Sequence, residues 1–124
     1  MSPADALFYL AFATLVAHEL DAVDKREWRL LFVLRDLPEP AARDLFIVLH
    51  VPLVAVLLGL LGHPDAAGFW TRAALDAFMV VHAALHHALS GRPHYAFTSA
   101  PSRALIYGPA VLGALHLSLL AAGH

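Results

Sequence analysis

The stretch LFIVLHVPLVAVLLGLL, Leu45–Leu61, decides the fold. It runs 17 residues without a charged side chain, and its one strongly polar member is His50. A run of that length suits a helix crossing a hydrocarbon core of about 30 Å. Backbone N–H and C=O groups find no partner in lipid, so such a span must satisfy them internally, as a helix does. Three further runs have the same character: Ala6–Val23, Ala73–Leu89 and Ala104–Ala122. Pro52 and Pro109 lie inside their spans and are expected to kink them. A soluble bundle would need a polar stripe on every helix, and the second and fourth spans lack one.

The expectation is therefore all-α: a single domain over residues 1–124, folded as an up-down four-helix transmembrane bundle. Only 15% of the 124 residues are charged, against roughly a quarter in soluble domains. The net charge of −2 and the lack of a basic patch argue against nucleic-acid binding. The absence of cysteine excludes disulfides, cysteine-ligated zinc and iron–sulfur clusters. The N-terminal MSPADALFYLAF has no basic stretch ahead of its apolar run, so that run is expected to stay in the mature chain.

Loop charge gives the orientation. Residues Asp24–Asp44 hold Lys25, Arg26, Arg29, Arg35 and Arg43, and Ser90–Arg103 holds Arg92 and Arg103. The link Gly62–Arg72 has only Arg72, and the N-terminal tail has no Lys or Arg. By the positive-inside rule the two longer loops are cytoplasmic and both termini lie outside, in a multi-pass protein of the inner (plasma) membrane. Trp28 and Tyr95 are expected in an interfacial aromatic belt, with Glu27–Leu34 as an amphipathic extension of the first helix and Gly91 at the end of the third.

Nine histidines punctuate this apolar chain. His18, His50, His82, His86 and His116 fall inside the spans, where an ionisable side chain is expensive and marks a functional candidate. Counting from Val23, Leu45 and Leu89 as cytoplasmic ends, His18, His50 and His82 lie roughly 7–11 Å deep, in one layer. His86 lies one turn from His82 on the same helix face, a relation that lets two imidazoles reach one ion. Asp21 shares a face with His18, whereas Glu19 lies about 100° around the helix. Imidazole and carboxylate without sulfur suit a divalent transition metal, Zn or Fe first. The expected ligands are His18, His50, His82 and His86, with Asp21 or Glu19 adding a carboxylate. Nearer the outer edge, Asp76 and His116 are expected to form a secondary polar pair.

Haem b between His50 and His82 is the alternative cofactor, and a purely structural histidine cluster the alternative role. A transporter is disfavoured, because four short helices show no inverted repeat. His87 and His94 at the cytoplasmic edge read as interfacial, and His63 and His124 as loop and tail residues. The expected partners are membrane lipid and, through small residues such as Gly108, Gly113 and Ala114, a second copy or a larger membrane complex.

Two resemblances bear on these readings. The string from His82 to His87, HAALHH, resembles one histidine box of membrane di-iron desaturases and hydroxylases, which carry several such boxes. FYLAFATLVAHELDA, EWRLL, LHVPL, DAFMVVHAALH and HYAF together resemble the DUF6713 family of small bacterial membrane proteins over nearly the whole chain. That resemblance implies a four-helix membrane fold and assigns no activity. The functional expectation is a metal-binding membrane protein, as an enzyme acting on a lipidic substrate or as a non-enzymatic subunit.

Overall fold

The computed structural model describes residues 1–123, so His124 lies outside the described residues. Four long helices form an all-α bundle: α1 Pro3–Asp24, α2 Glu39–Leu61, α3 Ala66–Leu89 and α4 Ala100–Ala121. Among the described residues there is no strand. A single 3₁₀ turn, η1, covers Glu27–Arg29. Three helices, α1, α2 and α4, are long and apolar enough to cross a membrane. α3 carries Arg72, Asp76, His82, His86 and His87, and it buries two of them, Asp76 and His86.

Every helix starts ahead of its apolar run, and in α1, α3 and α4 a polar cap sets the first turn. Ser2 and Asp5 form a reciprocal capping box, with Pro3 at the first helical position. Asp65 accepts from Ala67 N–H at the head of α3, and Ser99 from Ser102 N–H at the head of α4. Pro38 precedes α2 and Pro40 sits in its first turn. Both α2 and α4 continue past their internal prolines, Pro52 and Pro109.

α4 packs between α1 and α3, and α2 leans more lightly on α3 and η1. Gly113 is what brings α3 and α4 together. A Cβ there would lie 3.3 Å from both the Asp76 Cα and its carbonyl oxygen. Gly68 is required more strictly, since its Cβ would fall 2.0 Å from the His63 carbonyl oxygen in the α2–α3 turn.

The core has two parts. Phe8, Ala11, Leu15, Leu75 and Met79 fill the end near the chain termini. Ala22, Trp28, Leu34, Ala42, Phe46, Ala83, Phe97 and Ile106 fill the end under the long α1–α2 loop.

That loop departs from the sequence expectation. α1 does not extend as an amphipathic helix over Glu27–Leu34. Arg26 takes a left-handed conformation (φ 56°, ψ 50°), which ends the helical path and folds Glu27 and Trp28 back under the bundle. Trp28 consequently packs on Phe46 with a ring separation of 5.7 Å and is 1% exposed, so it is a core plug and not part of an interfacial belt. Phe32 and Val33 form the exposed apolar tip of the loop. The α3 cap is Ser90, and Gly91 beyond it has no left-handed backbone.

Candidate metal centre

Under η1, three helical imidazoles and one carboxylate converge. His18 comes from the last turns of α1, His82 and His86 from α3, and Glu27 from η1. One ligand atom from each lies within 4.8 Å of all the others. Glu27 Oε2 is 3.2 Å from His18 Nε2, while Glu27 Oε1 is 3.4 Å from His82 Nε2 and 3.6 Å from His86 Nε2. Ligands bound at 2.0–2.1 Å to a tetrahedral ion lie about 3.3 Å apart. The carboxylate-to-imidazole spacings therefore already match the edges of such a tetrahedron.

Local structure explains the convergence. His82 and His86 are one helical turn apart, and their rings sit 4.6 Å apart, centroid to centroid. His18 packs edge-on against both, at 4.8 Å and 5.1 Å. His86 Nδ1 lies 3.3 Å from the Tyr95 hydroxyl. With an Nδ1–H donated there, His86 would present Nε2 to an ion, the arrangement that a metal-ligating histidine needs. Phe97 closes the site below, against His86 at 4.7 Å and His18 at 5.5 Å. His18, His86 and Glu27 are buried, and His82 remains slightly accessible.

The arrangement is not satisfied by its own hydrogen bonds. His18 is fully buried, yet among the described residues neither of its ring nitrogens has a partner in hydrogen-bonding alignment, and Glu27 Oε2 has none either. A buried polar atom left so costs about 1–3 kcal/mol. An ion between these atoms would absorb His18 Nε2 and Glu27 Oε2 together. Burial raises the Glu27 carboxyl, but the three surrounding imidazoles outweigh it and hold the group well below the usual carboxylate range. Glu27 is thus ionised and ready to bind a cation.

The other expected ligands lie elsewhere. His50 is not in the group: its Nδ1–H donates to the Phe46 carbonyl at 2.7 Å, and its Nε2 faces Glu19 Oε2 at 2.9 Å. With both nitrogens engaged it offers no free ligand atom to an ion or a haem. Glu19 points around α1 away from His18, as its 100° offset requires. Asp21 lies 3.9 Å from Lys25, one turn on. Glu27 is the residue that sequence reasoning missed. Its only signal was a carboxylate beside a tryptophan in a loop otherwise taken as surface.

A second buried polar contact joins the other two helices. His116 Nδ1–H donates to Asp76 Oδ2 at 2.7 Å, with Phe8 against the imidazole at 5.2 Å. Of the remaining histidines, His87 lies 3.3 Å from the Tyr107 hydroxyl and His63 lies 3.9 Å from Asp65, both exposed. His94 borders a polar surface pocket with Lys25, Arg26 and Arg29.

No curated protein and no solved structure matches the chain. A family model does match, over residues 4–123, which takes in all four helices and every residue of the centre. The chain belongs to DUF6713, a family of unknown function.

Proposed function

We propose that this chain is an integral membrane protein that binds one divalent transition metal through His18, Glu27, His82 and His86. The observation that carries the proposal is the convergence of four ligand atoms within 4.8 Å, two of them buried without a hydrogen-bond partner. Three imidazoles and a carboxylate without sulfur favour Zn or Fe(II). Tyr95 orients His86 from outside the ligand set, as ligand histidines commonly require. The tight packing of the three imidazoles leaves room for an ion among them and none for a porphyrin plane.

The basic loops lie at the same end of the bundle as the centre, so the positive-inside rule puts the centre near the cytoplasmic face and both termini outside. The plasma membrane is the proposed location. His82 remains slightly accessible and stacks on Phe78, a wall of an apolar groove, which supports metal-dependent chemistry on a membrane-soluble substrate. The competing role, a structural polar cluster, would leave the unpartnered atoms of His18 and Glu27 unexplained.

Metal mass spectrometry of the purified chain, before and after reconstitution, tests the assignment. Near-stoichiometric Zn or Fe is expected, falling to background in His82→Ala with helical circular dichroism retained. No metal in the intact chain, even after reconstitution, would sink it, and a Soret band would replace it with haem.

A further inference from the structure

An apolar groove of about 530 Å³ runs between α1, α2 and α3, within the size range of small-molecule sites. Its walls include Leu15, Leu53, Leu57 and Leu75. Along α2 it extends from His50 to Leu60, about 15 Å at the helical rise. Glu19 and His50 line one end together, and Thr71, its hydroxyl bonded to the Ala67 carbonyl, lies toward the other. The Glu19–His50 end is the end of the metal centre. Glu19 follows His18 in the chain, and Phe78, in the groove wall, stacks on His82 at 5.3 Å.

We infer that this groove binds a single long apolar chain carrying a neutral, hydroxyl-type head, with the head held by Glu19 and His50. The length, and a single ionisable pair at one end, fit one extended hydrocarbon chain lying parallel to the helices. Hydrogen-bond geometry selects the head. Both nitrogens of His50 face acceptors, the Phe46 carbonyl and the Glu19 carboxylate. The Glu19 carboxylate presents acceptor oxygens to the groove, so the head must donate, which a hydroxyl does and an ionised carboxylate does not. A hydroxyl can donate to Glu19 and accept from His50, and both side chains keep about a third of their surface accessible. The inference deepens the metal assignment, because a head seated there lies on the His82 side of the centre. The groove itself does not require the ion.

The test uses the full chain in phosphatidylcholine nanodiscs and a long-chain primary alcohol bearing a terminal diazirine. Photolabelling is read by intact mass and mapped by peptide. Labelling should saturate near one probe per chain, map to the groove walls, and be competed by untagged alcohol about tenfold better than by the matching carboxylate. Ala74→Phe on α3, and independently Val54→Phe on α2, should lower labelling at least about tenfold. Glu19→Gln with His50→Gln should weaken the apparent affinity for the alcohol about tenfold, the loss of one good hydrogen bond. Labelling that rises linearly with probe, resists competition and ignores both wall variants would show bulk lipid only and overturn the site. Equal competition by alcohol and carboxylate would overturn the head assignment. Metal content measured on the same samples keeps the two ideas separate: saturable labelling of a chain that takes up no metal would refute the centre and leave the groove.

Discussion

The bundle buries polar side chains at both ends, and the two ends solve the problem differently. Toward the termini, Asp76 and His116 meet one to one, 2.7 Å apart and almost fully buried. Under the long loop, one carboxylate faces three imidazoles at 3.2–3.6 Å, and His18 has no aligned partner at all. Equal burial therefore does not mean equal purpose. The pair is a closed contact whose main need is met by its own hydrogen bond, although Asp76 Oδ1 remains unpartnered. The cluster has more converging donor atoms than its single carboxylate can satisfy, which is the condition under which a cation stabilises the fold.

The largest expected contrast is in metal content. Glu27→Gln removes the only anionic ligand and should weaken metal binding by roughly 100-fold or more, beyond the 10–100-fold typical of losing a partner outside the ligand set. Asp76→Asn should leave metal content unchanged. Full metal occupancy in Glu27→Gln would make the two ends alike and reduce the cluster to a structural one.

Stability should show the reverse. Asp76→Ala strands His116 in the core and should cost about 3–5 kcal/mol, with metal still bound. Replacing both partners by leucine should recover most of that loss, since an apolar pair leaves nothing unsatisfied. Thermal melting in detergent, followed by circular dichroism, checks both. An unchanged melting temperature in Asp76→Ala would show that the pair holds nothing together.

How much of this contrast the sequence disclosed depends on how far each contact reaches along the chain. The helices were legible because lipid-compatible runs such as Leu45–Leu61 have one solution, while their true starts awaited the caps at Ser2, Asp65 and Ser99. Asp76 with His116, and His82 with His86, followed from depth and helical phase. Depth alone also drew in His50, which shares the layer but faces the groove with Glu19. Rotation about the helix axis decides facing, and an apolar helix as exposed as α2 gives little periodic signal from which to read it. Glu27 was hidden for another reason. Its place depends on a backbone reversal at Arg26, a non-glycine residue that gives no hint of left-handed geometry.

Tyr95→Phe is a finer probe of the cluster end. It removes the hydroxyl that fixes His86 without touching a ligand, so metal affinity should fall about tenfold. The fold should persist, because the ring still packs on Phe97 at 5.5 Å. Competition with a chromophoric chelator reads the affinity, and no change would mean that Phe97 and the helix alone orient His86.

The smallest effect concerns the turn that delivers Glu27. A non-glycine residue in left-handed geometry costs roughly 1–2 kcal/mol, and glycine relieves much of that while gaining entropy in the unfolded chain. Arg26 also lies 3.6 Å from Glu39, an exposed ion pair worth little. Glu39 keeps Arg29 as a partner in any case. Arg26→Gly should therefore change the melting temperature only slightly, within about 1 kcal/mol, and leave metal content intact. Arg26→Val should lower both, because a branched Cβ is far less compatible with that conformation and the turn must open to accommodate it. Opening withdraws Glu27 from the three imidazoles while Asp76 and His116 stay paired on α3 and α4. Equal metal content in the glycine and valine variants would show that the cluster end does not depend on this turn for its carboxylate.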